Sequence, residues 1–207
     1  MKEQPAMSHR RFAGPLLITL ALLGTSGCVR FGAKPPERLL TITTQSAAPA
    51  GEQLSRTIEG ALFVDMPAVP RSIATLRVAV RNDTNTFAYV KDALWVDQPS
   101  RQFQGMLAEM IRTRTGRLVL DPGQYLARRG QMLEGNLLEF GIDAGQRRAV
   151  VTYDASLMSL DGKSVKRQRF SANVPIGKIE AGTVAPAISD AANQVAIAVA
   201  DWVKAQN

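Results

Sequence analysis

The spacing of hydrophobic positions changes along the chain, and each change predicts an element. Leu39 to Thr44 (LLTITT) is rich in β-branched residues and predicts a first strand. The small-residue and proline stretch from Gln45 to Gly51 predicts a loop. Ala61 to Val64 and Leu76 to Val80 predict further strands, the second alternating Leu76, Val78 and Val80 around Arg77 and Ala79. The Asn82-Asp83-Thr84-Asn85 cluster marks a turn, and Phe87 to Val90 leaves it as a strand. The period then shifts to three and four. Phe103, Met106, Leu107, Met110 and Ile111 predict a helix, capped by Asp97 or Ser100 and stopped at Gly116. Its methionine-bearing stripe reads as core packing rather than a ligand groove.

Period two returns further on. Leu138, Phe140 and Ile142 alternate with Glu139, Gly141 and Asp143, and Val151, Tyr153, Ala155 and Leu157 alternate with Thr152, Asp154, Ser156 and Met158. Asp161-Gly162 supplies a hairpin turn signal, and Ser164 to Val174 follows as the partner strand. Long strands joined by tight turns predict an antiparallel meander. A closing helix spans Thr183 to about Lys204, with Ile188, Ala192, Val195, Val199, Trp202 and Val203 on one face. Asp190, Asn193, Gln194 and Asp201 mark the opposite, polar face. The predicted fold class is α/β (α+β): a mostly antiparallel sheet with two main helices packed on it.

The N-terminus follows a different logic. Lys2, Arg10 and Arg11 precede an apolar run, Phe12 to Leu23, broken by Gly14 and Pro15. The run is shorter than the roughly 20 apolar residues of a membrane-spanning helix, and it ends in small residues, Gly24 to Gly27, directly before Cys28. This is the layout of an export signal. The expected division is a signal peptide over 1–27, a lipidated N-terminus and tether over 28–38, and a folded domain over 39–207. Small residues before a cysteine at the end of such a run resemble the lipobox of bacterial lipoproteins, although Thr25 stands where leucine is preferred. The resemblance implies cleavage before Cys28 and attachment of fatty chains, palmitate among them, to that cysteine. Val29 after it, rather than aspartate, resembles lipoproteins sorted to the outer membrane. The expected location is therefore the periplasmic face of the outer membrane.

Composition removes much chemistry. The chain has 207 residues, a formal charge of +7, one cysteine and one histidine, His9. Removing residues 1–27 from the 207 leaves 180. The charge then falls to +5, since Lys2, Arg10 and Arg11 leave together with Glu3. The remaining chain has no histidine, so histidine-dependent nucleophiles and histidine-ligated metals are excluded. A disulfide within the chain is impossible with a single cysteine. Neither GxGxxG nor GxxxxGK[ST] occurs, so nucleotide chemistry falls to a partner chain. No cofactor is expected. Carboxylate hydrolysis would need a pair such as Glu134 with Glu139, or Asp154 with Asp161. Glu139 and Asp154 lie in alternating segments, where the polar position marks a solvated strand face.

The order of features from Tyr89 onward carries a family likeness. A tyrosine-bearing strand precedes Trp95 and Pro99, then comes an amphipathic helix with Leu107. Leu137-Leu138-Glu139-Phe140, a long alternating strand, a turn and Phe170 follow, and the last helix ends in Asp201-Trp202-Val203. With the lipobox, this resembles the ABC-type transport auxiliary lipoprotein component family, which includes paraquat-inducible protein C. The resemblance implies a non-enzymatic outer-membrane partner of an ABC transporter that carries an MCE-domain substrate-binding protein. Such systems move lipids or other hydrophobic molecules across the envelope, with permease and ATPase as separate chains. The alternatives are a periplasmic carboxylate-dependent hydrolase and a structural or assembly lipoprotein with no transport role. A homo-oligomer is compatible with all three.

Three basic clusters remain: Arg112, Arg114 and Arg117; Arg128 and Arg129 with Arg147 and Arg148; and Lys166, Arg167 and Arg169. An exported lipoprotein meets little nucleic acid, so nucleic-acid binding is set aside. Arg128, Arg129, Arg147, Arg148, Arg167 and Arg169 are candidate contacts for an acidic partner or for lipid phosphate. The structural alternative is a strand edge protected from aggregation by charge. Within a strand only alternate members of Lys166 to Arg169 can share a surface.

Overall fold

The computed structural model describes residues 38–124 and 130–206. In chain order the elements are β1 (Leu62–Val64), β2 (Arg77–Arg81), β3 (Phe87–Leu94), α1 (Pro99–Thr115), β4 (Val119–Leu120), β5 (Gln131–Asp143), β6 (Arg148–Met158), β7 (Val165–Pro175) and α2 (Ala181–Lys204). The result is an α+β fold: two helices pack on one face of a seven-stranded sheet.

β5 organises the sheet. One of its edges is fully occupied by antiparallel β6, from Met132 opposite Met158 to Asp143 opposite Arg148. Its other edge is shared end to end by two parallel strands, β1 along Gln131–Leu133 and β2 along Gly141–Asp143. β4 extends the first branch in parallel and β3 the second in antiparallel sense. The predicted meander is present as β5-β6-β7, and these long antiparallel ladders make up most of the sheet.

The core lies between this sheet and the helices. Leu133, Leu137, Phe140 and Ile142 of β5 face it, with Val151, Tyr153 and Leu157 of β6. Phe103, Leu107, Met110 and Ile111 enter from α1, and Ile188, Ala192, Val195 and Val199 from α2. The methionine stripe is core, as its spacing predicts. Phe103 meets Tyr153 edge-on, with ring centroids 5.3 Å apart. Ala-rich α2 brings its backbone close to the sheet and to α1, and Arg114 ties the helices with two 2.9 Å hydrogen bonds to Asp201.

Several local expectations give way to longer-range contacts. The predicted strand over Leu39–Thr44 is extended but pairs with the sheet only through the bridge from Leu40 to Trp95. From there it runs as a strap whose amides are taken by helix side chains. The Ile42 N–H donates to Gln102 Oε1 (3.1 Å), Thr43 to Ser189 Oγ (3.0 Å), Gln45 to Asn193 Oδ1 (2.8 Å) and Ala48 to Glu109 Oε1 (2.6 Å). Asn193, expected on a polar face, is therefore 1% exposed. α1 begins after Gln98 with Pro99 in its first turn and no side-chain cap. Asp97 instead accepts the Gln98 N–H, and Ser100 is buried inside the helix. The stop at Gly116 stands, in left-handed conformation at φ 66°.

Candidate functional site

The face of β5, β6 and β7 turned away from the helices carries the polar members of each alternation. Cross-strand register fixes their neighbours: Asp154 lies opposite Arg169 and Asn136, Ser156 opposite Arg167, and Thr152 between Glu139 and Ser171. Arg169 grips Asp154 with both arms of its fork, Nε to Oδ1 at 2.6 Å and Nη2 to Oδ2 at 2.7 Å. Arg167 adds a longer contact to Oδ2 at 3.3 Å. The Thr152 hydroxyl donates to Glu139 Oε2 (2.7 Å) and lies 2.9 Å from Ser171 Oγ. On the β2 side, Arg81 bridges Glu139 (2.6 Å) and Asp143 (2.7 Å). A chain of hydrogen bonds, Arg81–Glu139–Thr152–Ser171, thus crosses the sheet from β2 to β7, with the Asp154–Arg169 pair beside it.

This pairing sets the electrostatics. Hydrogen bonds from Arg169 hold the Asp154 carboxyl below the usual carboxylate range, and Arg81 does the same for Asp143. Asp154 was expected on a solvated face, yet it is only 6% exposed, because the long arginine side chains lie over it. Of the carboxyl pairs considered above, Asp154 is an anion committed to arginine. Asp161 sits in the β6–β7 turn, where the Ser159 hydroxyl and the Lys163 amide depress its carboxyl. Both are poor proton donors at neutral pH.

Beside the polar chain lies an apolar cleft of about 130 Å³. Ala79, Phe87, Leu138 and Val150 line it, Ile73 closes one side, and Arg81, Glu139 and Asp143 form its polar wall. A bulge between Leu137 and Glu139 puts Leu138 there. Simple alternation had placed Leu138 inward with Phe140; the extra residue gives the core position to Leu137 and leaves Leu138 exposed.

The sequence-derived candidates are distributed as follows. Arg148, Arg167 and Arg169 share the uncovered face, Arg148 donating to Asn173 Oδ1 at 2.9 Å. Lys166 falls on the other side and reaches Gln206, as alternation requires. Arg147 occupies the β5–β6 turn at φ 50° and donates to the Gly177 carbonyl. Cys28, Arg128 and Arg129 lie outside the described residues. Arg112 and Arg114 pair with Glu109 and Asp201, and Arg117 donates to Gln131. Arg81, Phe87 and Leu138 were not singled out in advance. Arg81 was marked only as a charge ending an apolar strand, Phe87 only as the first residue of a strand, and Leu138 fitted the alternation that the bulge then broke.

A family model described as "ABC-type transport auxiliary lipoprotein component" matches residues 40–200. The chain belongs to that family. The match runs from the strap to the last turns of α2, so the uncovered face and the cleft are both within the auxiliary-component region. A DUF330 protein from Xanthomonas campestris has a similar fold, with a TM-score of 0.64 at 20% identity over 82% of this chain and 97% of that one. A second solved structure, titled only as an uncharacterized protein, overlays with a TM-score of 0.58 at 13% identity, covering 79% of this chain and 99% of that one. Comparison with curated proteins finds no match. Among the described residues of this auxiliary component, no helix is long and apolar enough to cross a membrane.

Proposed function

We propose that this auxiliary component is a non-enzymatic lipoprotein, anchored through Cys28 to the periplasmic face of the outer membrane. It serves an MCE-linked ABC system that moves lipids or other hydrophobic molecules across the envelope. The family match over residues 40–200 carries this reading, and the export signal ending in a lipobox-like run before Cys28 supports it. The uncovered sheet face is the docking surface for the transport partners. It combines the exposed guanidinium groups of Arg167 and Arg169 with the apolar Phe87, Leu138 and Val150 of the cleft, a mixture suited to a protein partner. Outside the described residues, Arg128 and Arg129 add positive charge available to a partner or to lipid phosphate.

Two measurements test this. Fatty-acid labelling of wild type and Cys28→Ser, with membrane fractionation, should give a labelled, membrane-bound wild type and an unlabelled variant. A photo-crosslinking residue at Leu138 should capture the MCE protein or permease encoded alongside, while one at the exposed Asp190 on α2 should not. An unlabelled wild type ends the anchoring reading, and failure at Leu138 with the anchor intact ends the docking one.

A further inference from the structure

The strap enters the fold at a corner where two separate segments leave apolar side chains in water. Leu40 N donates to the Leu94 carbonyl at 2.7 Å and Val96 N donates back to Leu40 O at 2.8 Å, so Leu39 and Val96 flank one bridge. The Trp95 backbone N–H donates to the Leu76 carbonyl at 2.7 Å. Leu39 and Val96 are each 54% exposed, although the adjoining Trp95 is buried. Cations stand at the same corner. Arg38 is exposed next to Leu39, and the Arg77 guanidinium lies 4.1 Å from the Tyr89 ring centroid. The nearby Asp97 carboxylate is engaged by Arg101 at 3.3 Å.

We propose that this corner, Leu39 and Val96 with Arg38 and Arg77, is a membrane-contact patch that seats the domain on an anionic phospholipid surface. The inference rests on the anchoring reading above and adds an orientation to it. The occupant follows from where the tether ends. About ten residues separate Cys28 from Arg38 and span roughly 33 Å at most, so the corner at which the tether meets the fold never leaves the neighbourhood of the bilayer. Apolar side chains flanked by arginine suit the interface between acyl chains and phosphate headgroups. Helix side chains fix the strap from Ile42 to Ala48, so a patch at the start of the strap moves with the whole domain, and seating the patch orients the fold. The Arg167–Arg169 face, on the opposite edge strand, is then held away from the seat for partners.

The test uses the full-length acylated protein in vesicles of phosphatidylethanolamine and phosphatidylglycerol. With Cys28 consumed by acylation, Val96→Cys or Leu138→Cys provides one free thiol for an environment-sensitive fluorophore. Nitroxide-bearing lipids should quench the probe at 96 at least threefold more than the probe at 138. Adding Leu39→Ser should reduce the quenching at 96 to the level at 138. Intact mass separates the two possible failures. An unacylated protein overturns the anchor and this orientation together. An acylated, vesicle-bound protein overturns the patch alone if its probe at 96 stays in water, or becomes shielded only when a partner protein is added.

Discussion

Tyr153 lies fully buried on the core face of β6, against Phe103 and above Gly135. Its hydroxyl has no hydrogen-bond partner among the described residues, and burial, followed by the charges of Asp65 and Glu134, pushes the phenol above its ordinary value. An unsatisfied buried hydroxyl costs stability, so Tyr153→Phe should raise stability by about 1 kcal/mol, read as a higher urea midpoint at unchanged slope. Gly135 is what lets the ring lie there. A Cβ at that position would stand 2.3 Å from the Asp154 carbonyl and 2.5 Å from the Tyr153 ring and hydroxyl. Gly135→Ala should therefore lose about 3 kcal/mol in the same measurement, because backbone and a buried ring must both move. On the opposite face, the Arg169 hydrogen bonds depress the Asp154 carboxyl when folded. A depressed carboxyl stabilises the fold above its unfolded value near 4, and that contribution disappears as pH falls through the folded value. Asp154→Asn should then cost about 1 kcal/mol at pH 7, the exposed arginines limiting the gain. The difference from wild type should shrink steadily below about pH 4.

Among the elements, those whose signal is local were legible in the sequence. The β5-β6-β7 meander and the last helix announced themselves by period and by the Asp161-Gly162 turn, because antiparallel neighbours are neighbours along the chain. The strap shows where local signals run out. Its β-branched residues correctly indicate extended backbone, but nothing in LLTITT says whether a strand or a pair of helices will take its amides. Likewise, a lone asparagine on α2 reads as solvated until a second segment is laid over it. That explains the error at Asn193 and makes the residue a test. Its amide accepts from Gln45 N–H and donates to the Thr43 carbonyl at 2.8 Å. Asn193→Ala leaves both backbone groups without those partners and should cost about 2 kcal/mol. Hydrogen exchange should show Gln45 losing protection while the β5–β6 amides keep theirs. Equal loss in both places would mean that the strap and sheet are not separable elements.

At the scale of the whole molecule, the branching of β5 was the least legible feature, and it controls the rest. β1 and β2 reach β5 in parallel across more than fifty residues of chain, so no turn signal records the pairing. That non-local pairing brings Arg81 to Asp143 and Glu139 and forms the apolar cleft beside Leu138. The proposed partner surface is thus a product of topology, which is why its cleft was not legible in the sequence. The same topology places the two tryptophans at opposite sides of one core. Trp95 follows β3 and packs on Phe140 with centroids 5.6 Å apart, while Trp202 near the end of α2 packs on Phe170 of β7, also at 5.6 Å. With β5 joining both branches, neither side can unfold while its neighbour keeps a complete core. Single-tryptophan proteins, Trp202→Phe reporting from Trp95 and Trp95→Phe reporting from Trp202, should each lose fluorescence structure and far-ultraviolet ellipticity in one coincident urea transition. A Trp202 signal that melts well before the ellipticity would divide residues 39–207 into two cooperative units and detach the arginine-bearing edge from the cleft it is proposed to work with.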